Sequence, residues 1–484
     1  MAQQTRTYDV VVLGAGAVGE NAADRAGRTG LSVVVVEAEL VGGECSYWAC
    51  MPSKALLRPG AVLAAARGVG GAAQAVTGGV DPAAVLARRD AFASHWDDGS
   101  QVAWLAGAGI DLVRGHARLV GPRRVEVATG DGALTLVARH AVVVATGSEP
   151  VLPDLPGLAQ AVPWTSREAT AVHDVPGSLV ILGGGVVGVE MATAYADLGA
   201  AVTLLVRGDR VLTAAEPFAG RAVGEALVGL GVDVRYGARP TGVTRDTDGV
   251  VVELARVGDA AGERVRADEL LVATGRRPAT GDLGLATVGI EPGSALVVDD
   301  ALQVTGVDGG WLFAVGDVTG RTTTTHQGKY DARVVGDVVA ARFGPGGSGA
   351  PDGAAPWSAT TATADHAAVP QVVFTRPEVA WVGLTEAAAL VAGHPVRTVQ
   401  VALRSAAGAA LAGDDVDGTV QLVVDTEREV LLGATFVGPE VAEMLHAATI
   451  AVVGQVPIAR LWHAVPAYPT TSEVWLRLLE AYGR

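Results

Sequence analysis

This sequence predicts an α/β protein: two doubly wound units built on parallel sheets, then a C-terminal α+β segment. Three observations predict it. Continuous apolar strands alternate with helical stretches, as strands buried on both faces of a parallel sheet do. One strand–glycine turn–helix–strand unit occurs twice, beginning near Tyr8 and near Ser178. From Val369 onward the pattern changes to short alternating runs and then a helical stretch around Ala442–Val453. The 484 residues exceed what one core holds and suggest about three domains.

The first unit opens with the apolar run Val10–Leu13, a strand. Gly14, Gly16 and Gly19 follow in the spacing G-x-G-x-x-G. Helical pattern continues through Ala22–Ala26, and Leu31–Val36 is the second strand, ended by Glu37. The second unit repeats the order: strand Ser178–Leu182, glycines Gly183, Gly185 and Gly188, helix Glu190–Leu198, strand Ala201–Val206, then Arg207. Such a glycine triad, placed after a strand and opening a helix, makes a Rossmann-like dinucleotide site. The first glycine makes the turn, the second admits the pyrophosphate, and the third lets helix and strand pack. Glu37 suits the ribose hydroxyls of an adenosine without a 2′-phosphate. Arg207, supported by Arg210, suits the 2′-phosphate of NADP; otherwise it is a solvated surface arginine. Stretches 68–79 and 344–356 are rich in Gly, Ala and Pro and read as loops.

Hydrophobic residues make up 49% of the chain and charged residues 18%, a globular composition. The formal net charge of -16 argues against a nucleic-acid partner, which selects clustered Lys and Arg. No apolar run approaches the roughly 18 residues of a membrane span. The N-terminus lacks the basic-then-apolar pattern of a secretory signal. The expected location is the cytoplasm, with no membrane partner and no metal site. Arginine carries nearly all the positive charge, for the lysines are Lys54 and Lys329 alone.

The cysteines are two, Cys45 and Cys50, five positions apart. A disulfide scaffold would spread more of them along the chain. Placed this closely they read as a redox couple, the alternative being two inert buried thiols. They lie in Gly42-Gly43-Glu44-Cys45-Ser46-Tyr47-Trp48-Ala49-Cys50-Met51-Pro52-Ser53-Lys54. Further along stand Ala145-Thr146-Gly147-Ser148, Ala273-Thr274-Gly275-Arg276-Arg277-Pro278, Val315-Gly316-Asp317 and Val373-Phe374-Thr375-Arg376-Pro377-Glu378-Val379. In this order the set resembles the class I pyridine nucleotide–disulfide oxidoreductases, a family that includes dihydrolipoamide dehydrogenase, glutathione reductase and mercuric reductase. The resemblance spans almost the whole chain.

The resemblance implies an FAD domain over residues 1–150 and an NAD(P) domain over 151–275. It implies a central domain completing the flavin site over 276–345, a loop over 346–366 and an interface domain over 367–484. Two chains would form a homodimer with shared active sites. FAD is the implied cofactor, and NADPH the implied reductant, with NADH as the alternative. The implied cofactor-binding residues are Gly14, Gly16, Gly19, Glu37, Gly43, Lys54, Ala145, Thr146, Gly147, Gly183, Gly185, Gly188, Arg207, Gly275, Arg276, Gly316, Asp317 and His326. For His326 the reading stays divided between the flavin's pyrimidine edge and a helix start. Cys45 resembles the interchange thiol that attacks a disulfide, and Cys50 the thiol beside the flavin. Lys54 resembles the lysine near flavin N5, and Glu190 its ion-pair partner. Tyr47 and Trp48, between the cysteines, either shape an acceptor pocket or merely pack.

One departure changes the expected substrate. Disulfide-reducing members carry a C-terminal His-Pro-Thr…Glu segment, whose His serves the interchange thiol. Here Tyr468 stands at the His position and Glu473 at the Glu position. A phenol of pKa about 10 is a poor proton shuttle at neutral pH, although it donates a hydrogen bond. His463, a few residues upstream, is either a substitute or an ordinary histidine. A Tyr at this place also resembles mercuric reductases and soluble transhydrogenases. The chain lacks the C-terminal cysteine pair of the former and keeps both active-site cysteines, one of which the latter usually lack. The expected function is an FAD-dependent reductase passing electrons from NADPH through Cys45–Cys50 to a disulfide, quinone or metal acceptor other than ordinary lipoamide or glutathione. The alternatives are a flavin-direct quinone reductase or transhydrogenase with a silent cysteine pair, and a redox-responsive flavin-bound binding protein.

Overall fold

The computed structural model describes residues 4–255, 262–346 and 355–484. Part of the loop read at 344–356, residues 347–354, lies outside them. The chain divides into two compact units that interleave along the sequence. One comprises Met1–Met51, Asp90–Pro150 and Arg276–His366; the other comprises Pro52–Arg89, Val151–Gly275 and Ala367–Arg484.

The first unit is built on a seven-stranded sheet. Its order is Asp111–Arg114, Val33–Glu37, Gln4–Leu13, Gly132–Val144, Arg124–Thr129 and His116–Gly121, with Leu312–Ala314 also pairing with Gly132–Val144. The strands around Gln4–Leu13 run parallel, in a register that sets Leu13 beside Val36 on one side and Val144 on the other. Both valine runs are fully buried, Val10–Leu13 and Val33–Val36, as expected of strands covered on both faces. The second strand begins at Val33, two residues later than the sequence suggests. Leu31 and Ser32 lie between the preceding turn and the strand, where Asp9 and Ser32 exchange hydrogen bonds. The helix Ala17–Gly27 buries Gly19, Ala22, Ala23 and Ala26 and packs against the helix Thr325–Phe343. Its small side chains permit that approach: a Cβ placed on Gly336 would lie 2.5 Å from Arg25 Cβ.

Among the described residues the second unit holds three sheets. A parallel sheet orders Asp233–Tyr236, Ala201–Val206, Ser178–Leu182 and Glu269–Val272. Its first helix spans Val186–Asp197 and starts four residues earlier than the pattern suggests, directly from the glycine turn that caps it. An antiparallel meander joins Pro240–Asp246, Gly249–Leu254 and Glu263–Ala267. The C-terminal part is the expected α+β fold, a five-stranded antiparallel sheet in the order Gln371–Val373, Glu378–Gly383, Val430–Gly438, Thr419–Asp425 and Val396–Ala402. The helices Leu445–Val453 and Val474–Tyr482 share its apolar core. The predicted helix at 442–453 is thus confirmed, with a 3-10 turn at Val441–Met444 leading into it. The 68–79 stretch is loop apart from one 3-10 turn, Ala73–Ala75. Among the described residues no helix is long and apolar enough to cross a membrane.

Candidate active site

The two glycine turns have the same geometry. Gly14 has φ +95°, and a Cβ there would lie 2.5 Å from Ala145 O. Gly183 has φ +114°, and its Cβ would overlap Ala273 O. Gly19 and Gly188 are each closed by the carbonyl of the first glycine in their own turn. The middle glycines differ from these. A Cβ on Gly16 would meet nothing nearer than 3.9 Å, and one on Gly185 nothing within 4 Å. Each middle glycine caps a helix N-terminus in extended conformation. Two helix N-termini are therefore left with bare backbone at their mouths, the cradle an anionic pyrophosphate needs. Gly14→Ala is expected to destabilise the protein by about 2–4 kcal/mol, since it adds left-handed strain to an overlap with Ala145. Thermal unfolding checks this, and a wild-type midpoint would contradict it.

At the end of the second strand, Glu37 accepts hydrogen bonds from Ala15 N at 2.7 Å and Glu39 N at 2.8 Å. Its carboxylate is thereby fixed beside the first glycine turn. Arg207, at the matching place in the second unit, is exposed, directly after the strand Ala201–Val206.

The cysteine segment folds as a short helix, Gly43–Tyr47, followed by a long one, Cys50–Arg67. Gly43 seats it against the first glycine turn, its Cβ position 2.8 Å from Gly16 Cα. Cys50 is the first residue of the long helix, and Lys54 stands one turn further on. Cys50 Sγ lies 3.2 Å from Thr325 Oγ1. A hydrogen bond with Cys50 and burial push the Cys45 thiol well above the usual thiol range, with Thr325 and Lys329 pulling the other way. Tyr47 is buried and its hydroxyl meets Gln101 Oε1, so this aromatic packs. Trp48 is partly exposed and tilts against it, with ring centroids 5.7 Å apart.

A polar chain joins the strand-end turns of the first unit. Ser148 Oγ donates to Asp317 Oδ2 at 2.6 Å, and Arg276 Nε donates to Ser148 Oγ at 2.8 Å. Arg276 Nη2 reaches Glu44 Oε2 at 2.9 Å. The chain thus brings together Asp317, Arg276 and the helix that carries Cys45. Thr146 Oγ1 donates to Ala279 O at 3.0 Å. Ala145 and Gly147 flank Thr146 at the end of the strand Gly132–Val144, and Gly316 opens a 3-10 turn next to Asp317. Gly275 precedes the strand Arg276–Pro278. His326 is the second residue of the helix Thr325–Phe343, and it is exposed.

In the second unit Lys54 Nζ donates to Glu190 Oε2 at 2.7 Å. Glu190 is buried, and its other oxygen accepts from Phe374 N at 3.0 Å. Lys54 also stands over the Phe374 ring, 5.0 Å from the centroid. Glu473 is buried, with Oε2 lacking a hydrogen-bond partner among the described residues. Tyr468 is 78% exposed and His463 is exposed as well. Three residues that reading the sequence did not single out belong to these constellations: Thr325, Ser148 and Glu44. Ser148 and Glu44 sit inside quoted motifs. Thr325 is the last of four consecutive threonines, and nothing in such a run marks which one meets a sulfur.

Residues 8–332 match the family described as pyridine nucleotide-disulphide oxidoreductase, and residues 369–478 match its dimerisation domain. The chain belongs to this family. A dihydrolipoyl dehydrogenase of Halobacterium salinarum is 33% identical over 481 residues, covering 98% of this chain and 95% of that protein. A mercuric reductase of Streptomyces lividans is 34% identical over 473 residues, covering 96% and 94%. The crystal structure of LpdA from Mycobacterium tuberculosis superposes with a TM-score of 0.81 at 25% identity, over 99% of this chain and 100% of that one. Like other pyridine nucleotide-disulphide oxidoreductases, the chain is an enzyme of the NAD(P)H-dependent flavoprotein class, which sets aside the reading as a non-catalytic binding protein. The first glycine turn with its open Gly16, the fixed Glu37 carboxylate and the Ser148–Asp317 pair fit the FAD that family members bind.

Proposed function

We propose that the chain is an NADPH-dependent reductase that works through Cys45 and Cys50, on a disulfide, quinone or metal acceptor other than ordinary lipoamide or glutathione. The observation that carries this reading is the cysteine pair itself. Cys50 sits at a helix N-terminus with a hydroxyl 3.2 Å from its sulfur, and a hydrogen bond with Cys50 and burial push the Cys45 thiol above the usual thiol range. A helix N-terminus and a hydrogen-bond donor both favour a thiolate. Cys50 is thus the sulfur prepared to carry charge, and Cys45 the one that keeps a proton until a substrate disulfide arrives.

Bound FAD would supply the two-electron chemistry that links the nicotinamide to the cysteine pair. Within the protein, Lys54 is oriented by Glu190, and Ser148 and Arg276 fix Asp317 and Glu44 in place. Tyr468, in place of the family's histidine, is the reason for setting lipoamide and glutathione aside. Its exposure suits a residue that completes the site of a second chain, so the reading includes a homodimer with shared active sites. It also includes the division into domains at 1–150, 151–275, 276–345 and 367–484, and a cytoplasmic location.

Anaerobic titration with NADPH, followed by alkylation and mass spectrometry, tests the reading. One equivalent should leave the yellow absorption in place and expose two alkylatable thiols. Bleaching at the first equivalent, with no new thiols, would instead support the flavin-direct quinone reductase or transhydrogenase suggested by Tyr468.

The preference for NADPH rests on Arg207 at the strand end. Arg207→Glu is expected to lower the ratio of kcat/KM for NADPH over NADH by about 10–100-fold, the range for losing one charge-assisted bond to phosphate. Steady-state kinetics with both nucleotides check it, and an unchanged ratio would remove Arg207 from the nucleotide site.

A further inference from the structure

An interchange thiol has to release its proton to attack a disulfide, yet a hydrogen bond with Cys50 and burial push the Cys45 thiol above the usual thiol range. The family's usual base is replaced by Tyr468, which is exposed. The first unit supplies a cation of its own. The helix Thr325–Phe343 begins at Thr325, 3.2 Å from Cys50 Sγ, and Lys329 stands one turn on, along the same face. Of the two lysines in the chain, Lys54 is engaged by Glu190, and Lys329 draws the Cys45 thiol toward ionisation.

The helix Ala17–Gly27 lies directly against this one. A Cβ on Gly328 would come 2.6 Å from Val18 Cγ2, and Arg25 pairs with Asp337 at 2.6 Å. Glu20 belongs to that helix, and its Oε1 is buried without a hydrogen-bond partner among the described residues. Burial pushes the Glu20 carboxyl up to about 7, Lys329 pulls it down and Glu37 pushes it up. Among the described residues, ionisable groups that also act on the cluster include Tyr47, which feels Glu20 together with Asp97, Asp98 and Arg114, and Cys50, which acts on Cys45.

We propose that Lys329 is a positioning residue for the cysteine pair, a single cation shared by two acids, Cys45 and Glu20. This rests on the reading of Cys45–Cys50 as the working thiols. While Glu20 is ionised it neutralises part of the Lys329 charge. When Glu20 takes up a proton, the whole charge turns to the cysteines, and Cys45 gives up its proton more readily. Proton release at the thiol is then governed inside the subunit, without a histidine from the C-terminus.

The test is the pH dependence of Cys45 alkylation in the FAD-loaded protein, reduced beforehand with dithiothreitol and desalted, so that no step depends on NADPH. Iodoacetamide labelling is read by mass spectrometry on the fragment carrying both cysteines. In Lys329→Met the Cys45 midpoint should rise by about one pH unit, the effect of removing one nearby charge, whereas Lys329→Arg should keep it. Glu20→Gln should lower it. A Lys329→Met midpoint equal to wild type would overturn the proposal. Should that variant fail to fold, an unmoved midpoint in Glu20→Gln would overturn it equally. Midpoints that shift as expected, in a protein whose thiols NADPH cannot reduce, would keep this inference while removing the reductase reading.

Discussion

Cys45→Ser should lower disulfide-reducing turnover by about 10³-fold or more, the scale of removing a covalent nucleophile, while the protein stays yellow. A hydroxyl cannot form the mixed disulfide through which thiol–disulfide exchange proceeds. Cofactor retention is expected because the elements that fit FAD, the open turn at Gly16, the fixed Glu37 carboxylate and the Ser148–Asp317 bond, use no atom of Cys45. Cys50→Ser separates the two roles, since it keeps a hydroxyl beside Thr325 Oγ1 but loses the sulfur that resolves the mixed disulfide. Turnover of Cys45→Ser within a few-fold of wild type, on the substrate that wild type reduces, would take Cys45 out of the reaction.

Glu190→Ala should destabilise the protein by about 2–3 kcal/mol, somewhat less than breaking a fully buried pair. The reduction has a cause: the Lys54 side chain is 35% exposed and can turn toward water, whereas that of Glu190 is 4% exposed. Two groups lose their partner at once, the Lys54 ammonium and Phe374 N. Glu190→Gln divides them, because its amide oxygen can still accept from Phe374 N. Its loss should be the smaller of the two. Urea midpoints of both variants check the order, and a Glu190→Gln midpoint at or below that of Glu190→Ala would show that the backbone bond adds nothing.

The parts of the site that were legible in the sequence are those written in local spacing. Gly14, Gly16 and Gly19 can be read because turn, approach and packing fall within six consecutive residues, and Gly183, Gly185 and Gly188 repeat that spacing. Cys45, Cys50 and Lys54 were legible as a motif, and Glu190 because it follows the second turn directly. The contacts that tie distant segments together were not. Tyr47 finds Gln101 far along the chain, and Arg89, with no exposure, donates to the carbonyls of Thr170 and Val172. Such pairings depend on which helix faces which, and one-dimensional periodicity does not encode that. For the same reason Tyr47 and Trp48 looked alike as candidates, and only the folded chain buries one and leaves the other partly exposed. His463, which the sequence offers as a substitute proton carrier or an ordinary histidine, is exposed, as Tyr468 is.

The contrast between the locked outer glycines and the open middle ones gives the protein two points at which a single methyl group can be added without touching the fold. Gly16 and Gly185 each have negative φ and room for a methyl group. An alanine at either should leave the fold standing and fill the space meant for a ligand backbone. An alanine at Gly185 should therefore block nicotinamide-dependent reduction while leaving the first turn and its flavin untouched, whereas an alanine at Gly16 should stop both half-reactions, since the flavin takes part in each.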